Sequence, residues 1–360
     1  MPKENILFKF IRSLIEKIKI KKHEYIMATI EIVLSALIGF LVAGIVLYVM
    51  GYDPGEVFYI MFNYGFNDPE YLCGKAVPLI MTGLAFSIPA LAGVFNIGGE
   101  SQLYWGAFIG LITTYYVTQY TGIGTLGTII GILAGILAGA AWALLIAVLR
   151  VYRGINEVIT AIMLNWISYF MIIYLIIKFF TNPVIPHQSI EVPEKASLTP
   201  YPGFAIAIVG TLIVYYLLYY TDIGYKMRVS GLSPASAKYA GFDPSKAILS
   251  SMIIGGGSAG LGGSLLILAI SHNIDTTMST IYGLGFTGIG VGLLGRNHPI
   301  GIIFSALFFA GLLIGGQWVE LKTGAPPMLS DAIMGIIVIA LSAPYAYRLL
   351  MNYLSRLRKR

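Results

Sequence analysis

A chain of 360 residues that is 57% hydrophobic and 11% charged is no ordinary water-soluble domain, where about a quarter of residues carry charge. Its apolar runs reach the roughly 20 residues that cross a bilayer core as a helix, and they are too continuous for the alternating, about ten-residue strands of a membrane barrel. The formal net charge of +6 calls for no nucleic-acid partner, because basic residues gather at inner membrane ends where anionic lipids attract them.

The expected fold is all-α and polytopic, placed in the cell membrane as a multi-pass protein. Residues 1–26 contain KFIRSLIEKIKIKK, an amphipathic segment expected on the cytoplasmic surface. It lacks the small-residue cleavage site of a signal peptide. Ten spans follow, at 27–50, 76–94, 101–119, 127–149, 155–180, 203–221, 248–270, 279–295, 299–316 and 328–346. Residues 27–346 thus form one transmembrane domain, and 347–360 form a basic tail. With the N-terminus in the cytoplasm, 19 of the 23 Lys and Arg lie inside: seven before Met27, Arg150 and Arg153, four in the loop 222–247, Arg296, and five from Arg348 onward. The positive-inside rule therefore favours cytoplasmic placement of both termini.

Between the second and third spans lies FNIGGESQLYWGAF, where Asn96, Glu100, Ser101 and Gln102 crowd around Gly98 and Gly99. Polar groups at membrane depth are costly and mark pathways or partners. A glycine pair beside them points to a broken helix or re-entry, tolerated only where it is buried in protein or lines a cavity. Asn96, Glu100 and Gln102 are thus candidates for a solute pathway; the alternative is an inner turn whose carboxylate caps the third span. Gly131, Gly135 and Gly139 make a small face on the next span, matched by glycines between Gly255 and Gly263, as close helix packing in lipid requires.

In RGINEVITAIMLNWIS, Glu157 sits in the first helical turn, where the dipole favours an acid and Arg153 can pair with it. Asn165 lies two and a half turns deeper, as interhelical glue or pathway lining. The outer loop from about Thr181 to Pro202 holds Pro183, Pro186, Pro193, Pro200 and Pro202, and is expected to be semi-rigid and non-helical. It serves either as a docking surface for an external partner or as a stiff connector.

The polar connector Thr221 to Ala247 carries four lysines and arginines between two apolar runs. Inside it Ser233 suits an N-cap, Pro234 the first helical position and Gly241 a left-handed stop, so a short helix is presented on the inner face to a partner. Further on, SHNIDTTMST (His272, Asn273, Asp275, Thr276, Thr277) is an outer gate or a solvated turn. Gly283, Gly285 and Gly288 match dinucleotide-fingerprint spacing, but inside an apolar span without the preceding strand the match is discarded. Asp331 is expected to start the last span as a dipole partner.

No GxxxxGK[ST] run occurs, so any ATP that drives this chain is bound by another polypeptide. The single Cys73 excludes an intrachain disulfide, and His23, His187, His272 and His298 lack ligand spacing. No metal or cofactor is expected, and no catalytic set is present to make the chain an enzyme.

FNIGGESQLYWGAF, GINEVITAIMLNWIS, SPASAKYAGF and GLGFTGIGVGLLGRNHPIG, in order over about residues 76–300, resemble the permease subunits of ABC importers for simple sugars, branched-chain amino acids and nucleosides. NIGGESQ and NEVITAIMLN are most similar to the nucleoside-type permeases that work with Bmp-type binding proteins. The resemblance implies a type II importer-like permease paired with an identical or different second permease. It also implies a pair of ATPase domains holding ATP and Mg, and an extracellular Bmp-type solute-binding lipoprotein that delivers a nucleoside or simple sugar. It implies further that Ser233, Pro234, Ala235, Ala237, Lys238, Tyr239, Ala240, Gly241 and Phe242 form the coupling helix that docks on the ATPase. The rival reading is an ion-coupled secondary transporter using Glu100 or Asp275. An intramembrane transferase is disfavoured for want of catalytic groups.

Overall fold

A computed structural model describes residues 34, 37–278 and 281–342. The expected surface segment 1–26 and basic tail 347–360 lie outside these residues. Among the described residues the chain is helical, with two isolated bridges and no longer strand. The helices are α1 (Leu37–Val49), α2 (Pro54–Gly65), α3 (Pro69–Leu91), α4 (Gly99–Thr121), α5 (Gly124–Arg153), α6 (Glu157–Phe179), α7 (Pro200–Tyr220), α8 (Asp222–Leu232), α9 (Pro234–Tyr239), α10 (Pro244–Leu266), α11 (Leu284–Leu294), α12 (Pro299–Thr323) and α13 (Pro327–Ser342). Each of the ten expected spans overlaps one of them, α1 and α11 being shorter than the spans expected at 27–50 and 279–295, and residues 27–33, 35–36, 279–280 and 343–346 lie outside the described residues.

Two helices were not expected. α2, 12 residues long, is too short to register as a span. α8 starts where Thr221 caps the amide of Gly224, and Asp222 favours the first turn. Two expectations need correction. Pro200 opens α7 instead of lying in the outer loop, and that loop includes a 3₁₀ turn, Glu194–Ala196. Asp331 falls past the first turn of α13, because that helix begins at Pro327.

Six helical segments are long and apolar enough to cross a membrane: α3, α5, α6, α7 with its preceding turn, α10 with the π turn Ile267–Ser271, and α12. The described residues divide into two compact units, one made of those up to Tyr59 and those from Val319 onward, the other Ile60–Trp318. In the first, Gly39 lies against Ala340 and Ile337, and the Phe40 and Phe58 rings meet edge-on at 5.5 Å.

The second unit is built around α10, buried among α3, α4 and α5. Gly135 and Gly139 on α5 abut the backbones of Gly106 on α4 and of Gly256 and Gly260 on α10. Gly106 packs in turn on Gly260. Three helices thus meet backbone to backbone, as the glycine spacing predicts. Dispersion over such close faces replaces the hydrophobic drive that lipid cannot supply. The opposite faces of α5, α6 and α7 expose Leu133, Leu137, Met163, Phe170, Val209 and Ile213, an apolar surface suited to lipid.

Neighbouring residues fix the relative depth of these helices. α10 runs antiparallel to α3, with Ile270 beside Gly74, Gly262 beside Met81 and Gly255 beside Pro89. α4 runs parallel to α10, with Gly106 beside Gly260 and Gly110 beside Ser264. Gly99 and Gly255 both flank Ala85, so α4 begins level with the middle of α10. The chain therefore leaves the end of α3, turns at Gly93 (φ +82°), and climbs back through residues 94–98 before α4 starts. α11 also begins at this depth: Gly285 meets Glu100 and Gly288 meets Thr82.

Candidate translocation site

Two helix N-termini, those of α4 and α11, start inside the protein and need partners for their free amides. Glycine at each N-cap, Gly98 and Gly283, supplies no side chain. The caps come from elsewhere. The Glu100 carboxyl accepts from the amides of Gly283 (2.5 Å), Gly285 (2.6 Å) and Phe286 (3.2 Å), and from the Tyr104 hydroxyl (2.5 Å). It therefore caps α11 from the first turn of α4, where two helix dipoles favour its charge. Asn165, from α6, caps α4: its Oδ1 accepts from the Ser101 amide (3.1 Å), and its Nδ2 donates to the Ile97 carbonyl (3.1 Å).

Asn96 and Gln102 pair reciprocally, each amide nitrogen donating to the other's oxygen at 3.1 Å. Asn96 also donates to the Ala85 carbonyl and accepts from the Gly98 amide. All four side chains, Asn96, Glu100, Gln102 and Asn165, are buried. The four residues selected from the sequence are thus assembled around one break. Their hydrogen bonds hold the interrupted backbone in a place where unpaired groups would be costly.

Glu157 behaves differently from its expected pairing. Its carboxylate bonds the half-buried Arg150 rather than the exposed Arg153. Its other oxygen accepts from the Phe95 amide at 3.5 Å, tying the break to the start of α6. Asn156 is the N-cap there. Asp275 caps a turn through the Thr277 amide (2.9 Å), while the bridge between Gln188 and Asp275 joins that turn to the proline-rich loop. Further backbone bonds, from Ser189 to Ile274, Val192 to His272 and Leu198 to Leu268, stitch the loop down as the expected semi-rigid segment.

Beside Glu100 and Asn165 opens a cleft of about 90 Å³, walled by Tyr104, Ile162, Trp166, Tyr169, Tyr282 and Phe286. The aromatic members were missed in the sequence. A signal was present: Ile162, Asn165, Trp166 and Tyr169 fall at helical spacing on one face of α6, and Tyr104 follows Glu100 by one turn.

α9, the expected short helix, lies far along the chain from this cleft. Ser233 caps it, accepting from the Ser236 amide at 3.2 Å; Pro234 opens it, and Gly241 takes φ +80° beyond its end. Ala237 is fully buried and anchors it. Pro234, Ala235, Lys238, Tyr239, Ala240 and Gly241 are exposed, with Tyr239 at 96%. Phe242 packs edge-on against Tyr225 of α8 at 5.9 Å, and Arg228 of α8 lies 4.8 Å over the Tyr219 ring of α7. The small helix is thus mounted on a second, anchored one.

The family described as the permease component of the branched-chain amino acid transport system matches residues 69–342. The chain is 27% identical over 342 residues to a guanosine ABC transporter permease of Bacillus subtilis, covering 90% of this chain and 95% of the relative. It is 29% identical over 343 residues to a nucleoside ABC transporter permease of Lactococcus lactis, covering 89% and 90%. A glucose ABC transporter permease of Haloferax volcanii is 30% identical over 331 residues, 86% of each chain. No solved structure matches. The protein is therefore a multi-pass membrane transport subunit and not an enzyme. It belongs to the family of branched-chain amino acid transport system permease components.

Proposed function

We propose that this permease carries a nucleoside inward across the cell membrane, driven by ATP hydrolysis on a separate ATPase that grips α9. A second permease completes the membrane part, and an extracellular Bmp-type lipoprotein delivers the solute. In this reading both termini and the α8–α9 connector face the cytoplasm, which the distribution of Lys and Arg favours. The connector 222–247 is the coupling loop, and Ser233–Phe242 its lever.

One observation carries the reading. α9 is a capped helix with a buried anchor at Ala237 and an exposed face that no described segment covers. A helix held so firmly from behind transmits force, whereas a mobile loop would absorb it. Inside the membrane, α4 and α11 begin at one carboxyl, so a shift of either helix is felt by the other. The nucleoside assignment rests on similarity to the guanosine and nucleoside permeases. Glu100 is a poor ion-coupling carboxylate, since both its oxygens are engaged by protein donors.

The test is uptake by proteoliposomes holding this chain with its ATPase, partner permease and binding protein. Guanosine uptake should require ATP and ignore a protonophore. Uptake that proceeds without ATP and collapses with the ion gradient would overturn the reading.

A further inference from the structure

We propose that the cleft walled by Trp166, Tyr169, Tyr282 and Phe286 is the slot in which the nucleobase lies during passage, its ring against aromatic faces. The proposal rests on the nucleoside reading above and adds the place and the recognised part of the solute. The space is about 90 Å³, well below the roughly 300–1,000 Å³ of sites that enclose a whole small molecule, so the slot takes one flat part of the solute and leaves the rest outside. Tyr169 stands at its centre: its ring lies 5.9 Å from both Trp166 and Tyr282, at 73° to each, and 6.4 Å from Tyr104. Side chains from α4, α6 and α11 line it, together with Tyr282 two positions before α11 begins.

The chemistry of the wall selects for a flat ring over a sugar. A sugar site needs several uncommitted donors and acceptors for hydroxyl groups. Here Glu100 already takes four donors, and both ends of the Asn165 amide are bonded to backbone. Among the described residues, the indole N–H of Trp166, the phenols of Tyr169 and Tyr282 and the second N–H of the Asn165 amide are left for the edge of a ligand. Faces for stacking with a few edge donors are what a base requires, and stacking tolerates different bases. A lipid chain fits the wall poorly. The cleft lies at the depth where α4 and α11 begin, and phenols there need a polar partner that an acyl chain lacks. Stacking alone is also weak enough to release a passing solute, as conduction demands.

The complete transporter, with ATPase, second permease and binding protein, should be photolabelled with 8-azidoguanosine under ATP turnover and digested for mass spectrometry. Label should appear on peptides containing Trp166, Tyr169, Tyr282 or Phe286 and be competed by guanosine but not glucose. In proteoliposomes, Tyr169→Ala and Phe286→Ala should each slow guanosine uptake about tenfold, the loss expected from one stacking contact. Tyr169→Phe, which keeps the ring, should restore most of it; a tenfold loss in that variant too would overturn the stacking assignment. If the alanine variants fail to assemble, labelling of the unaltered protein decides. Label confined to other peptides while guanosine uptake persists would overturn the slot, leaving lipid or the second permease as its cover. Unaltered protein that transports glucose and no nucleoside would overturn the nucleoside reading itself.

Discussion

At the scale of single residues, Glu100 does the capping that the glycine at the N-cap of α11 cannot do. Replacing it with alanine leaves the amides of Gly283, Gly285 and Phe286 without their acceptor, that of Gly285 in a buried place and the other two in partly buried ones. Each such group costs about 1–3 kcal/mol, so Glu100→Ala should destabilise the fold by about 3 kcal/mol or more. Glu100→Gln should also harm it, because its NH₂ would point at backbone donors. Thermal unfolding in detergent, followed by loss of the monodisperse elution peak, measures both. A midpoint unchanged in Glu100→Ala would show that the capping bonds carry no stability. Asn165→Leu removes the acceptor for Ser101 and the donor to Ile97 together. It should lower stability as well as uptake, since the same amide holds the break and borders the cleft.

At the scale of helices, the glycines separate into two kinds that spacing alone does not distinguish. A Cβ on Gly260 would collide with the Gly135 carbonyl, and backbone cannot step aside. A Cβ on Gly257 would meet Ile136 Cγ2 at 3.4 Å and Ala140 Cβ at 3.8 Å, ordinary contact. Gly260→Ala should therefore abolish folded protein, while Gly257→Ala should be neutral or stabilise by up to about 1 kcal/mol through helix propensity. The yield of monodisperse protein in detergent checks the pair; equal yields would mean that α5 and α10 can separate at little cost. The ten spans, the glycine faces and the limits of α9 are legible in the sequence, because apolar length, four-residue spacing and Ser-Pro/Gly punctuation are local signals. The trans caps are not. Nothing near Gly283 announces a carboxyl 183 positions away, nor does the sequence say that Arg150 outcompetes Arg153 for Glu157. The aromatic cleft falls between, since half of it is a face of α6 and the rest arrives through tertiary folding.

For the whole molecule, the sharpest question is whether energy enters through α9. Burial separates that question from folding. A carboxylate at Ala237, fully enclosed, would lose its hydration and should dislodge α9 from its anchors, so it reports on stability as much as on docking. The informative positions are Ala235 and Tyr239, both exposed on the free face. Ala235→Glu and Tyr239→Glu should leave the detergent elution profile and thermal midpoint unchanged, because neither side chain is enclosed. ATP-driven uptake should fall at least tenfold, together with the amount of ATPase that copurifies with the permease. If Ala237→Glu alone suppresses uptake and the two exposed variants transport normally, α9 is a structural strut and the ATPase grips another surface. Loss of uptake with the ATPase still bound would instead place the defect after docking, in transmission from α9 through α10 to the paired starts of α4 and α11.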